Sequence, residues 1–495
     1  MVMLQEALDD DPRTKKLIQT LEAMPQTGNS NALASAVLGA RAPPGQPALP
    51  HRSGHPPKHL YSQTDCGSAN HERYIMNAKK MWLTLLTSGV VAGVCLIILI
   101  WRSPIARVAS IETFDSAQVS RGAKVVEAGD CAVCHTPPGG NYLAGGLPLV
   151  TPFGTLYSTN ITPDPETGIG SWSYPAFRRA MTEGISRDGH YLYPAFPYVH
   201  YRKMTDADLQ DAYAYLMSGP QVHAPSRQNQ MSFPMNIRPL VFFWNMLFLH
   251  GDPIASQPEQ TVSWNRGRYL VEGAGHCAAC HSPLNFLGGE ASGKRMAGGI
   301  VDGWSAPSLL GMADSANPWT KEQLVGYLSA RVVAGHGTPA GPMRPVSLGL
   351  ANLEASEVQS IAEYLLSLKG VPSSAAPLVG EPIKASDQQL GAALFTGSCA
   401  GCHGDAAPMR QVDGRPALTQ TSALNADTSR NFIKTVLEGV PPVPGARGPA
   451  MPPFANSLNN RQVAALAAYL RDQHEPAHPW ADLSATLQEL RPEAK

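Results

Sequence analysis

The sequence predicts a mainly α-helical protein in which one small domain recurs three times behind a single N-terminal membrane-spanning helix. Three observations predict this. The pattern C-x-x-C-H occurs three times, as CAVCH (131–135), CAACH (277–281) and CAGCH (399–403). Each copy lies between a glycine-containing helical pattern and a later amphipathic pattern that ends in Tyr-Leu. Residues 81–101, MWLTLLTSGVVAGVCLIILIW, carry no charge and are long enough to cross about 30 Å of hydrocarbon as a helix.

Taken in chain order, residues 1–75 are polar, rich in Pro and without sustained periodicity, a composition that predicts disorder. The stretch MNAKKMWLTLL also reads as a start of translation at Met76. Residues 76–102 are the predicted anchor. The apolar run exceeds the ~7–15 residues of a secretory signal, and RSPIARVAS after it is a poor cleavage pattern. Lys79 and Lys80 before the run are balanced by Arg102 and Arg107 after it, so the flanking charges orient it weakly. Cys95, inside the run, reads as a buried thiol acting as a small hydrophobe.

The repeats are placed at 112–220, 258–371 and 383–476, with a linker at 372–382 and a tail at 477–495. Their first helices carry SRGAKVVEAGD, NRGRYLVEGAGH and QLGAALFTGS. Their last helices are TDADLQDAYAYL, EASEVQSIAEYL and NNRQVAALAAYL, each opening on residues suited to a helix N-terminus. Between the first two repeats, at 221–257, the strongly apolar FPMNIRPLVFFWNMLFLHG is too short to span a bilayer. It is expected either to pack as buried core or to form an interface, between domains or with a membrane surface.

C-x-x-C-H is the attachment pattern of c-type haem. Its two thiols form thioethers with the porphyrin, and the adjacent imidazole binds the iron. A zinc site would require two further ligands at matched spacing, and a thioredoxin-like redox pair would not require the histidine. Three copies in one helical frame predict three covalently bound haem c groups, attached at Cys131 and Cys134, Cys277 and Cys280, and Cys399 and Cys402, with His135, His281 and His403 on the irons.

A second iron ligand is offered by Met343 in GPMRPVSLG, 62 residues after His281, and by Met451 in GPAMPPF, 48 residues after His403. A thioether is soft and favours Fe(II). In the first repeat the corresponding position, 61 residues after His135, is Phe196, which has no donor atom. Met204 is the leading replacement. His200, His190 and a site open to water or a small ligand are the alternatives, and the last would make the chain a peroxidase-like haem enzyme or gas sensor.

These motifs, together with TNITPDPETGIGSW (159–172), LYPAFPY (192–198), KMTDADLQDAYAYL (203–216) and GRYLVEGAGHCAACHSP (267–283), resemble the triheme cytochrome c subunits of bacterial membrane-bound alcohol, gluconate, sorbitol and aldehyde dehydrogenases over about residues 112–476. The resemblance implies three tandem class I cytochrome c-type domains. It also implies electron transfer from a periplasmic dehydrogenase subunit, with a flavin, quinone or molybdenum centre, to ubiquinone or a terminal oxidase. Many members carry a motif like YPAMPY with Met as ligand. The departure at Phe196 resembles the branch that accompanies molybdenum hydroxylase-type dehydrogenases. Thioether-linked haem requires export, which places residues beyond 102 in the periplasm and the anchor in the inner membrane. A net charge of −1 with 16% charged residues offers no basic field for nucleic acid, and no G-x-G-x-x-G is flanked as a dinucleotide site requires. No substrate-oxidising site of the chain's own is expected.

Overall fold

The computed structural model describes residues 68–491, except 111, 316, 371–379, 412–416 and 443–449. The stretch 1–67 and most of the expected linker therefore lie outside the described residues. By internal contacts the chain divides into two units, Met1–Leu85 and Leu86–Lys495, with the boundary inside the first helix.

That helix, α1 (Ser68–Ile100), begins before the expected Met76 and contains an apolar span at Met81–Ile100. Cys95 is exposed on it rather than buried, as are most of the apolar side chains of the span among the described residues.

The remaining chain is mainly helical. Helix α2 (Ser116–Ala128) precedes the first C-x-x-C-H, and a hairpin of β1 (Pro148–Thr151) and β2 (Gly154–Tyr157) follows it, extended on one edge by β3 (Gln230–Met231). Helices α3 (Tyr174–Glu183), α4 (Asp206–Ser218) and α5 (Val241–Phe248) come next. The second motif is flanked by α6 (Val262–Tyr269), the hairpin β4 (Gly299–Val301) and β5 (Trp304–Ala306), and then α7 (Lys321–Leu328), α8 (Met343–Leu350) and α9 (Ala355–Ser367). The third is flanked by α10 (Ala385–Leu394), α11 (Arg430–Glu438) and α12 (Asn460–His474). The stretch expected as a tail instead carries α13 (Leu483–Leu490), and Trp480 before it and Leu487 within it enter the core beneath α12.

Helix starts follow the expected chemistry. The Thr205 hydroxyl accepts from the Asp208 N–H at the head of α4, and Asn459 with Gln462 forms a reciprocal capping box on α12. The glycine in each first helix marks where it crosses the last helix of the same repeat. A Cβ at Gly122 would lie 1.9 Å from the Asp211 carbonyl oxygen, one at Gly267 1.9 Å from that of Ser360, and one at Gly391 2.3 Å from that of Ala465. In all three, the next contact includes the Cβ of the Tyr in Tyr-Leu, at Tyr215, Tyr364 or Tyr469. The three crossings thus repeat one backbone-to-backbone contact.

One apolar core runs without a break from Val126 to Leu365, joining the segments that carry the first two motifs. Leu424 to Leu487 form a second core around the third.

Candidate haem sites

Each C-x-x-C-H forms a short helical turn, at Cys131–His135, Ala278–His281 and Ala400–His403. Five-residue π turns, Leu270–Ala274 and Phe395–Cys399, lead into the second and third. Such over-wide turns recur at functional sites. The first motif is reached instead through Asp130 in the left-handed region, φ 55°.

The imidazoles are held by backbone. His135 Nδ1 lies 2.6 Å from the Thr159 carbonyl oxygen and His281 Nδ1 lies 2.7 Å from that of Pro307. A carbonyl can only accept, so Nδ1 carries the proton in both rings and Nε2 keeps its lone pair for a metal. Burial lowers the pKa of both rings, against these hydrogen bonds, and so favours the neutral form that binds iron. Loop carbonyls have no side-chain signature, and neither partner was visible in the sequence.

Burial pushes the Cys131 and Cys277 thiols up to about 12 and the Cys134 and Cys280 thiols up to about 11. A catalytic or zinc-binding cysteine is shifted the other way. None of these cysteines is in a disulfide, and among the described residues no cluster of three His, Cys, Asp or Glu could hold a metal ion. Neutral thiols beside a buried imidazole in an apolar cleft fit a covalently attached porphyrin, and the donor set does not fit zinc.

Cys277, Cys280 and His281 share one cavity of about 690 Å³ with Cys399, Cys402 and His403. Met343 and Met451 both line it. Met343 opens α8 behind Pro342. Met451 is fixed by paired backbone hydrogen bonds with Val440, each 3.0 Å, and Gly439 allows this approach because a Cβ there would lie 2.4 Å from the Met451 carbonyl oxygen.

The first site differs. Phe196 packs at a tilt on Tyr201, with ring centroids 5.6 Å apart, and the Tyr201 hydroxyl donates to the Gly129 carbonyl at 2.7 Å, two residues before Cys131. Met204 is buried and belongs to the core against which Cys131 packs. It also lines a second cavity of about 580 Å³, together with Tyr191, Phe242 and Asn245, that Cys131, Cys134 and His135 do not line. His200 Nε2 pairs with Glu290 at 3.0 Å, and His190 Nδ1 bonds the Ser186 hydroxyl at 2.8 Å.

The first two motifs abut. His276, immediately before Cys277, donates from Nε2 to the Gly129 carbonyl at 3.3 Å. Asp130 lies in this contact and lines the larger cavity, and burial, then the charge of Glu127, raises its pKa to about 7. Burial, then the charge of His200, lowers the His276 pKa to about 4. An unfolded histidine titrates near 6.5, so the neutral buried ring contributes stability above that pH, and this is lost as pH falls from about 6.5 through about 4. Acid unfolding is therefore expected to steepen across this window and to flatten in His276→Gln. A pH–unfolding profile that is the same in both proteins would remove His276 as the cause.

The family model for cytochrome c matches residues 119–220, and that for cytochrome c oxidase, cbb3-type, subunit III matches residues 386–470. The chain is 34% identical over 381 residues to the gluconate 2-dehydrogenase cytochrome c subunit of Pantoea cypripedii, covering 72% of this chain and 86% of that one. The chain belongs to the family of cytochrome c subunits of membrane-bound dehydrogenases. Membership in this cytochrome c family implies covalently bound haem c. The fructose dehydrogenase cytochrome subunit of Gluconobacter japonicus is 33% identical over 388 residues, 71% of this chain and 78% of that one. A nicotinate dehydrogenase subunit of Pseudomonas putida is 47% identical over 423 residues, 83% of this chain. The cytochrome spans only 35% of the length of that relative.

Proposed function

We propose that this cytochrome carries three haem c groups and passes electrons from a periplasmic dehydrogenase catalytic subunit to ubiquinone or a terminal oxidase. The haems are attached at Cys131 and Cys134, Cys277 and Cys280, and Cys399 and Cys402. His135, His281 and His403 would bind the haem irons, with Met204, Met343 and Met451 as the second protein ligands. The observation that carries this reading is the cavity in which two motifs and two methionines converge.

Haem c, when bound, supplies one-electron Fe(III)/Fe(II) chemistry. The chain's part is positional. The Thr159 and Pro307 carbonyls fix the imidazole tautomers, and Leu309, Leu324 and Val346 are among the apolar residues lining the larger cleft. The Gly129–His276 contact brings the first two sites together. Among flavin, quinone and molybdenum donors, Phe196 favours a molybdenum hydroxylase-type partner. The 47% identity to a protein of nicotinate dehydrogenase favours a catalytic partner of that kind. The α1 span anchors the chain in the inner membrane, with the haem segments in the periplasm.

The count is tested by pyridine haemochrome titration of the purified chain. Three haem c per chain are expected, falling to two when either Cys399 and Cys402 or Cys131 and Cys134 are replaced together by alanine. A wild-type value of two or fewer overturns the triheme reading.

A further inference from the structure

Helix α5 and the turn before it turn an apolar row outward. Phe233, Ile237, Leu240, Phe243, Met246 and Leu247 are exposed, Phe233 at 79%, Met246 at 59% and Leu247 at 58%. From 240 to 247 these positions recur at helical spacing on one side. The other side is packed, with Val241 buried and Trp244 Nε1 donating to the Leu287 carbonyl at 3.0 Å. That bond attaches the 284–289 loop to α5, and Phe286 at its tip is 87% exposed. Between Gln228 and Leu249 the one charged residue is Arg238. It is turned inward, donating to the Tyr191 carbonyl at 3.0 Å beneath the Tyr193 ring. An exposed apolar surface of this kind marks a contact with something else.

The end of α1 identifies the occupant. Ile100 packs into the cluster formed by Ile185, Tyr191 and Val241, beside Phe242, and the Tyr191 hydroxyl donates to the Ile100 carbonyl at 3.1 Å. The Arg102 guanidinium stands 6.0 Å from the Phe242 ring centroid. Trp101, exposed immediately after the span, is the residue type that settles at a membrane–water boundary. Helix α5 is therefore fixed against the point where α1 leaves the bilayer. Arg102, whose guanidinium donates to the Leu99 and Trp101 carbonyls, lies near its start, and Arg202, which donates to the Gly251 carbonyl at 2.5 Å, lies near its end.

We propose that α5, with Phe233 and the Phe286 loop, lies in the lipid interface as a second, non-spanning membrane contact, its outward row sunk about 5–10 Å into the headgroup–acyl boundary. This rests on the reading of α1 as the membrane anchor. It would hold the first two motifs against the membrane surface in one orientation, which a single spanning helix does not do.

The test is hydroxyl-radical footprinting of the full haem-loaded chain in phosphatidylcholine–phosphatidylglycerol vesicles without any dehydrogenase, normalised for side-chain reactivity. Phe243, Met246, Leu247 and Phe286 are expected to label several-fold less than Val262, which is 89% exposed and far from the span in sequence. Protection of Leu85–Ile98 with full labelling of α5 overturns this proposal and leaves the anchor standing. Labelling of Leu85–Ile98 overturns both. If α5 is labelled in vesicles and protected only once the catalytic subunit is added, the surface is a protein interface and the proposal fails.

Discussion

A Met343→Ala variant is expected to retain its haem, because Cys277 and Cys280 are untouched, while the reduction potential of that one site falls. Axial ligands move haem potentials over a span of about 0.8 V, and loss of a soft sulfur removes a preference for Fe(II). A drop on the order of 100 mV or more follows from replacing the sulfur with water or no ligand. Met343 lies at the first turn of α8 and faces the same cavity as His281, so the change should stay local. Met343→Leu fills similar volume without a donor atom and should show the same fall, which separates ligation from packing. The measurement is a spectroelectrochemical titration of the purified chain. If every midpoint is unchanged in both variants, the proposed ligand is wrong.

Replacing Gly267 by alanine should damage the fold more than any surface substitution. The added Cβ would sit 1.9 Å from the backbone carbonyl oxygen of Ser360 and 2.9 Å from the Tyr364 Cβ. Neither is the end of a flexible side chain, so α6 and α9 must move apart. The crossing also carries Glu363, whose carboxylate accepts from Thr261 at 2.6 Å, Ser263 at 2.9 Å and Lys321 at 2.9 Å. Overpacking costs about 1–3 kcal/mol even where neighbours can adjust. Alanine recovers roughly 0.5–1 kcal/mol through helix propensity. A net loss at the upper end of that difference, about 2 kcal/mol, is expected from denaturant unfolding of the haem-loaded chain. Gly219→Ala, whose nearest neighbour is 3.5 Å away, should change little and serves as the control. Equal stability of the two variants would show that the helices separate at no cost.

Much of this architecture was legible because it rests on side chains with local consequences. Thr205 and Asn459 announce helix starts because their side chains accept the backbone N–H groups an N-terminus leaves unpaired. The C-x-x-C-H motifs announce their chemistry by composition alone. The three glycines were visible as a repeat, but not as helix crossings, since a clash between Gly122 and Asp211 arises only once distant segments meet. The carbonyls of Thr159 and Pro307 were invisible for a different reason, as every residue has one. The apolar stretch around α5 was ambiguous because it does two things at once, burying Val241 and exposing Met246. The last residues read as a tail because α13 is short and gains its place from the pocket that receives Trp480 and Leu487.

The separation of the two larger cores distinguishes two kinds of distance. The first two motifs share one core and touch directly through Gly129 and His276, so their spacing is set when the chain folds and is stiff thereafter. The third has a core of its own and meets the second across the shared cavity and through polar pairs, such as Trp304 with Glu438 and Ser305 with Asn431. Polar contacts of this kind exchange with water at modest cost. In the proposed cytochrome, electron exchange between the first two sites has a fixed gap and hence a constant rate. Exchange with the third has an adjustable gap, and a protein docking against that segment could set the timing of the whole relay.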